Sequence, residues 1–237
     1  MEIGSRAWRD LIQTGAAELD LCISPGQAEA FAKHALALLA WNRKTNLTAI
    51  TAPGEVAVKH FLDAIVPSRY IPPGAELLDI GSGGGFPGIP LKIMDPSLSV
   101  ILIDSVRKKT SFLNFVIRTL GLPGIEALHV RAEALATRPG MARHFDVVIC
   151  RALTALADFL RMARPLVKPG GLLIAMKGEI SGEEAAEAEA AIRLNGGIAV
   201  DTVVYTLPVL HLSRRLYLLR LSGDGPEPSP SRSGMNL

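Results

Sequence analysis

An α/β fold, with a mostly parallel seven-stranded sheet that ends in an antiparallel hairpin and is preceded by a helical appendage, is what this chain of 237 residues predicts. Three observations predict it. From Glu76 onward short β-rich runs alternate with stretches of helical spacing, the pattern of βαβ units and therefore of a parallel sheet. Runs such as Val100-Ile101-Leu102-Ile103 and Val147-Val148-Ile149-Cys150 are apolar without interruption, as strands covered by helices on both faces must be. The last two runs, Gly197 to Tyr205 and Leu212 to Leu221, follow each other with no helix between them, so they pair antiparallel.

The elements follow in order. Trp8, Leu11, Ile12 and Leu19 recur at helical spacing, as do Phe31, Ala35, Leu38 and Leu39, then Val58, Phe61, Leu62 and Ile65. Ser24-Pro25-Gly26-Gln27 is a capping box with proline at the first helical position, which starts the second helix. Trp41 to Thr48 reads as a polar, basic loop. Strands are expected near 76–80, 99–104, 125–130, 145–150 and 171–176, and helices near 88–94, 106–120, 155–167 and 182–194. Ser105 is the expected cap of the helix after the second strand, and Ser181-Gly182-Glu183-Glu184 the box that opens the last one. The tail from Ser222 is proline, serine and glycine without apolar anchors, so it is expected to be disordered. The boundaries are therefore a helical extension over 1–70, a sheet domain over 71–221 and a tail over 222–237.

A hydrophobic content of 49% supports a sizeable core, and a net charge of +2 conceals uneven distribution. Residues 31–70 hold five Lys/Arg against two acids and residues 131–177 hold eight against three, while the first 30 residues are acidic. Cys22 and Cys150 lack any disulfide framework or zinc spacing, so a cytoplasmic protein without metal is expected. No leader or apolar run of roughly 18 residues suggests export or a membrane span.

The most informative segment is Glu76 to Gly88, a buried strand closed by Asp79 that runs into Gly81-Ser82-Gly83-Gly84-Gly85-Phe86-Pro87-Gly88. A carboxylate just before the first glycine would repel a pyrophosphate, but it attracts the α-amino group and sulfonium of S-adenosylmethionine. Pro87 and Pro90 further deprive the turn of N–H groups that a phosphate would need. The loose G-x-G-x-x-G match to dinucleotide sites is thereby weakened, and no Walker lysine follows. Together with the terminal hairpin this reads as a Rossmann-like class I methyltransferase fold, whose ligand lies at the carboxyl ends of the strands.

Asp104 ends the second strand 19 residues after Gly85, where a carboxylate can accept both ribose hydroxyls of an adenosyl ligand. Glu133, after the third strand, is either an adenine-edge contact or a helix-starting acid. Cys150-Arg151-Ala152-Leu153 ends the fourth strand without the Asn/Asp-Pro-Pro-aromatic turn of exocyclic-amine methylation. Cys150 reads as core filler, not as a nucleophile, which leaves an acceptor that already owns a lone pair. Arg151 could pair with the donor carboxylate, with phosphate or with a guanine O6/N7 edge. His34 and His60 read as surface or satisfied core histidines before they read as catalytic bases. The basic groups of Trp41 to Thr48 and of Arg107, Lys108 and Lys109 suit phosphate tracking on RNA. Three rival readings stay open: another methyl acceptor, a non-catalytic adenosine-ligand module that binds RNA, and a dinucleotide oxidoreductase.

The residues also resemble a known family, the bacterial 16S ribosomal RNA guanine-N7 methyltransferases called glucose-inhibited division protein B. The matching motifs are Asn42 to Ile50, Lys59 to Asp63, Leu78 to Pro90, Ile103-Asp104-Ser105, Arg131-Ala132-Glu133, Cys150-Arg151-Ala152 and Met176-Lys177-Gly178, together spanning roughly residues 5–221. The resemblance implies transfer of a methyl group from S-adenosylmethionine to N7 of one guanine in the 530 loop of 16S RNA, in the cytoplasm and on the RNA or the small subunit; a monomer is expected separately, and the sequence leaves the oligomeric state open. It places Gly81, Phe86, Asp104, Ser105, Ala132, Glu133 and Arg151 at the donor, where the reading of the glycine turn adds Asp79 and Gly83. It places Arg43, Lys44, Asn46, Lys59, His60, Lys108 and Lys177 at the RNA. Arg131 and Arg151 are then the catalytic candidates, gripping donor carboxylate or RNA phosphate while N7 attacks without a general base.

Overall fold

The computed structural model describes residues 1–151, 155–178, 182–194 and 197–221. Seven strands form one sheet in the order β3-β2-β1-β4-β5-β7-β6. They are β1 (Glu76–Ile80), β2 (Ser99–Asp104), β3 (Ile125–His129), β4 (Phe145–Arg151), β5 (Val167–Lys177), β6 (Gly197–Leu207) and β7 (Leu212–Leu221). The first five run parallel, β7 lies antiparallel to β5, and β6 is antiparallel to β7. The order reverses between β1 and β4, so their carboxyl ends flank a natural ligand crevice.

Helices α1 (Arg6–Glu18) and α2 (Pro25–Thr45) come first. Next α3 (Pro53–Glu55), a π-helical stretch (Val56–Leu62), α4 (Asp63–Ile65) and a 3-10 turn (Val66–Tyr70) follow without a gap. The box predicted at Ser24 is present: the Ser24 hydroxyl accepts the Gln27 amide at 3.2 Å, and the Gln27 side chain accepts the Ser24 amide at 2.8 Å. Trp8, Ile12, Phe31, Leu38, Phe61 and Ile65 fall on the inner faces and are fully buried.

The sheet alternates as a two-sided layer should. Leu77, Ile149, Ile174 and Leu218 join the core beneath α1, α2, α3, α4, α5 (Gly88–Met94) and α6 (Arg107–Leu120). Leu78, Ile80, Val148, Cys150, Leu173 and Leu219 face the other way, onto α7 (Ala132–Ala136), α8 (Leu156–Ala163) and α9 (Gly182–Leu194).

Several boundaries differ from the sequence reading. Trp41 to Thr45 belong to α2 and are not loop, because the helix continues until Asn46 takes a left-handed conformation at φ 48°. Asn42 then gathers the turn, its Oδ1 accepting the Leu47 and Thr48 amides at 2.6 and 2.9 Å. Ser105 does not cap α6. Val106 stands at that position with no side-chain bond of its own, and Asp104 Oδ1 accepts the Val106 amide at 2.8 Å. Helix α8 ends at Ala163, shortly before Pro165, which has no N–H to continue the helical hydrogen bonds, and β5 begins at Val167. The short α7 has Glu133 in its first turn, as the reading of that residue as a helix-starting acid expected. The box at Ser181 and the tail over 222–237 lie outside the described residues, as does Ala152.

Gly88 shows how tightly the turn is packed. A Cβ there would stand 2.3 Å from Leu102 Cδ2 and 2.9 Å from Asp79 Oδ2. Gly88→Ala is therefore expected to destabilise the fold by about 1–3 kcal/mol, read as a lowered melting temperature. An unchanged melting curve would show that the turn has slack.

Candidate functional site

Among the described residues, two recesses open at the carboxyl ends of the strands. The first, about 290 Å³, sits over β1, β2 and β3 and is walled by Ile80, Ile103, Val130 and Met162, with Gly81, Asp104, Ser105, Arg131, Ala132 and Glu133 supplying backbone and polar groups. The second, about 340 Å³, sits over β4 and β5 and is lined by Ile50, Lys59, His60, Asp63, Arg151, Met176, Lys177, Gly178 and Arg214. Because Ile80 pairs with Cys150 and Arg151 with Met176, the recesses occupy consecutive strand ends.

The glycine turn is held by acids from below. Asp104 Oδ2 accepts the Gly83 amide at 3.1 Å, so one carboxylate ties the turn after β1 to the start of α6. Asp79 Oδ2 accepts the Gly88 amide at 2.9 Å, whereas its Oδ1 is buried with no partner. Burial pushes the Asp79 carboxyl up to about 7, partly offset by the Gly88 hydrogen bond. This corrects the picture of Asp79 as an open attractor: the carboxyl is enclosed and first of all fastens the turn. Its orphaned Oδ1 is an acceptor with no donor among the described residues, which fits a cationic ligand group approaching the turn.

Phe86 is likewise not an open contact. Its ring is 4% exposed and lies parallel to both His34 and His60, at 4.8 and 4.6 Å between centroids. Only the backbone of that residue remains to meet a ligand. Ala132 is buried but reaches the wall of the first recess.

Arg151 lies in the second recess, apart from Arg131 in the first. Its guanidinium donates to the Lys59 carbonyl at 3.0 Å, faces Asp63 at 3.6 Å and stands 4.8 Å over the Phe86 ring. The two catalytic candidates are thus separated, one per recess.

Of the residues expected at RNA, Lys59 and Lys177 reach the second recess, and Lys59 forms an ion pair with Glu55. Arg43 and Lys44 are exposed in the last turn of α2, where the helix end favours cations. Lys108 is exposed in the first turn of α6, and it is its neighbour Lys109 that reaches the first recess. Asn46 is taken up by the bend that ends α2. His60 is corrected: it is 6% exposed, and both ring nitrogens are engaged within the protein.

Sequence reasoning missed the role of Asp63, Tyr205 and Arg214. The Tyr205 hydroxyl donates to Asp63 Oδ1 at 2.7 Å, and Arg214 approaches the same oxygen at 3.7 Å, which pins the C-terminal hairpin to α4. An acid inside an otherwise apolar helical face was the available signal. Cys150 is 3% exposed, and burial pushes its thiol far up, so it is an inert core residue. Iodoacetamide on the folded protein is expected to label exposed Cys22 and spare Cys150, as peptide mass mapping would read. Modification of Cys150 at a comparable rate would contradict this.

A reversed-order parallel sheet with a closing hairpin, an acid-lined apolar recess and a cationic one beside it define an S-adenosylmethionine-dependent methyltransferase. The chain belongs to the GidB family, described as rRNA small subunit methyltransferase G, whose family model matches residues 27–213. It is 41% identical over 211 residues to the ribosomal RNA small subunit methyltransferase G of Geobacter metallireducens, covering 89% of this chain and 95% of that one. With the same-named protein of Pelotomaculum thermopropionicum it shares 39% over 228 residues, 95% of each chain. Among solved structures, a SAM dependent methyltransferase from Aquifex aeolicus shares the fold at a TM-score of 0.56 and 17% identity, over 78% of this chain and 98% of that one.

Proposed function

We propose that the chain methylates N7 of a guanine in the 530 loop of 16S ribosomal RNA, in the cytoplasm and as a monomer. The observation that carries this reading is the pairing of the two recesses on neighbouring strand ends, one suited to an adenosyl group and the other lined by Lys59, Arg151, Lys177 and Arg214. In the first, apolar walls suit adenine, and the Asp104 and Glu133 carboxylates suit ribose hydroxyls and the adenine edge. S-adenosylmethionine, when bound, supplies a methyl group already activated on a sulfonium. The cations of the second recess suit the phosphates and O6 of a nucleotide.

No residue is asked to remove a proton. Guanine N7 carries a free lone pair, so the protein's work is placement and exclusion of water. His60 agrees with that division of labour, since burial and the nearby Arg151 charge lower it to about 3 and neither nitrogen is open to the recess solvent. The N-terminal extension over 1–70 then serves as the wall of the acceptor side, through Ile50, Lys59, His60 and Asp63.

The test is transfer of radiolabelled methyl to ribosomal RNA, small subunits and assembly intermediates, followed by mass mapping of the modified base. Label on a 530-loop guanine that reverts on borohydride-aniline cleavage to a single strand break supports N7. Label on another base, or on protein alone, removes the proposal.

A further inference from the structure

We propose that His60 is a positioning residue: Asn42, Thr48 and His60 form a hydrogen-bonded relay that fixes the Arg151 guanidinium in the acceptor recess. The inference rests on the functional reading above for the meaning of the recess, but the relay itself rests on geometry.

Its direction is forced by donor chemistry. Arginine can only donate, and Arg151 Nη2 lies 3.3 Å from His60 Nδ1, so Nδ1 must be the acceptor. In a neutral ring the proton then belongs on Nε2, which lies 2.9 Å from Thr48 Oγ1 and donates to it. Thr48 Oγ1 also accepts the Ile50 amide at 2.9 Å. Thr48 is in turn clasped by Asn42, whose Oδ1 accepts the Thr48 amide at 2.9 Å while its Nδ2 donates to the Thr48 carbonyl at 2.8 Å.

Packing removes the remaining freedom. The His60 ring stacks on Phe86 with planes 13° apart, and Arg151 lies over the same Phe86 ring. The second Arg151 nitrogen is held by the Lys59 carbonyl, one residue before His60. A long arginine at the end of β4 is thus presented in one orientation by a segment of the helical extension. The two ends of the polar stretch from Asn42 to Thr48 thus serve Arg151, while Arg43 and Lys44 are exposed to solvent.

The relay makes His60 unable to act as a base, since its one lone pair already accepts from Arg151 and its one proton is already given to Thr48. A positioning role and a merely structural one differ in what conservative substitution restores. Thr48→Val removes the acceptor at a half-buried site, His60→Leu removes the ring nitrogens, and His60→Gln keeps an acceptor for Arg151 and a donor for Thr48.

The experiment measures kcat/KM for small-subunit RNA in these variants and in the Thr48→Val/His60→Leu double variant. Thr48→Val and His60→Leu are each expected to lose about tenfold to a hundredfold, as a misplaced catalytic contact does. His60→Gln is expected to stay within about threefold of wild type, and the double variant to be no worse than His60→Leu alone, since members of one unit are not additive. Full activity in Thr48→Val, or equal loss in His60→Gln and His60→Leu, would overturn the relay. Nitrogen NMR of the imidazole separates this from the functional reading: a proton on Nε2 is expected whatever the acceptor, and a proton on Nδ1 overturns the relay. A wild-type protein with Nε2–H that methylates no RNA overturns the functional reading alone.

Discussion

Asp104→Ala is expected to lower methyl transfer by about a hundredfold or more and to weaken S-adenosylhomocysteine binding by a similar factor. The carboxylate accepts amides from both sides, Gly83 at 3.1 Å and Val106 at 2.8 Å, and it lines the recess proposed above for the adenosyl group. A hydrogen bond to a charged group contributes about 1.5–3 kcal/mol, and each 1.4 kcal/mol is about tenfold in binding, so losing two of them with the ligand contact readily reaches that factor. Asp104→Asn retains acceptor capacity without the charge and is expected to fall between the two. Calorimetric titration checks both; affinity within about threefold of wild type in the alanine variant would mean that the acid neither shapes the turn nor meets the ligand.

Asp79→Asn is expected to act in opposite directions on stability and on binding. The carboxyl ordinarily titrates at 3.8 and in the fold at about 7, raised chiefly by burial. Between those values the unfolded chain has released a proton that the folded protein still holds. Stability from this group is therefore full in acid and declines as pH rises from about 4 through about 7, by on the order of 4 kcal/mol at most. The asparagine variant escapes that decline, since its amide oxygen can accept from Gly88 without carrying charge. Its melting temperature is expected to exceed that of wild type at pH 8, with the difference shrinking toward pH 4. The same change removes the negative charge offered to the cationic α-amino group of the ligand, so S-adenosylhomocysteine should bind more weakly. A variant equally stable at both pH values and equally tight in binding would remove Asp79 from both roles.

Much of the architecture was legible because it depends on periodicity. Continuous apolar runs gave the parallel strands, the Ser24 box gave the start of α2, and two adjacent runs gave the hairpin. The place of Asp104 at the end of β2 was legible because it follows from spacing alone. What stayed hidden depends on contacts between distant segments. Nothing local distinguishes an outward Phe86 from one stacked on His34 and His60, which come from other helices. Asn42 and Thr48 read as part of an RNA-facing basic loop because the partner of Thr48, His60, is 12 residues further on, and Asn42 acts only through the loop it clasps. Asp63 acquires its meaning only when Tyr205 arrives from the far end of the chain, 142 residues later.

The single apolar layer that runs from Trp8 through Phe61 to Ile174 and Leu218 has a practical consequence. A shortened gene product beginning at the first strand would keep only α5 and α6 on that side of the sheet and uncover the rest of it to water. It would aggregate and not survive as a minimal catalytic core, and heating the intact protein should yield one calorimetric peak in place of two.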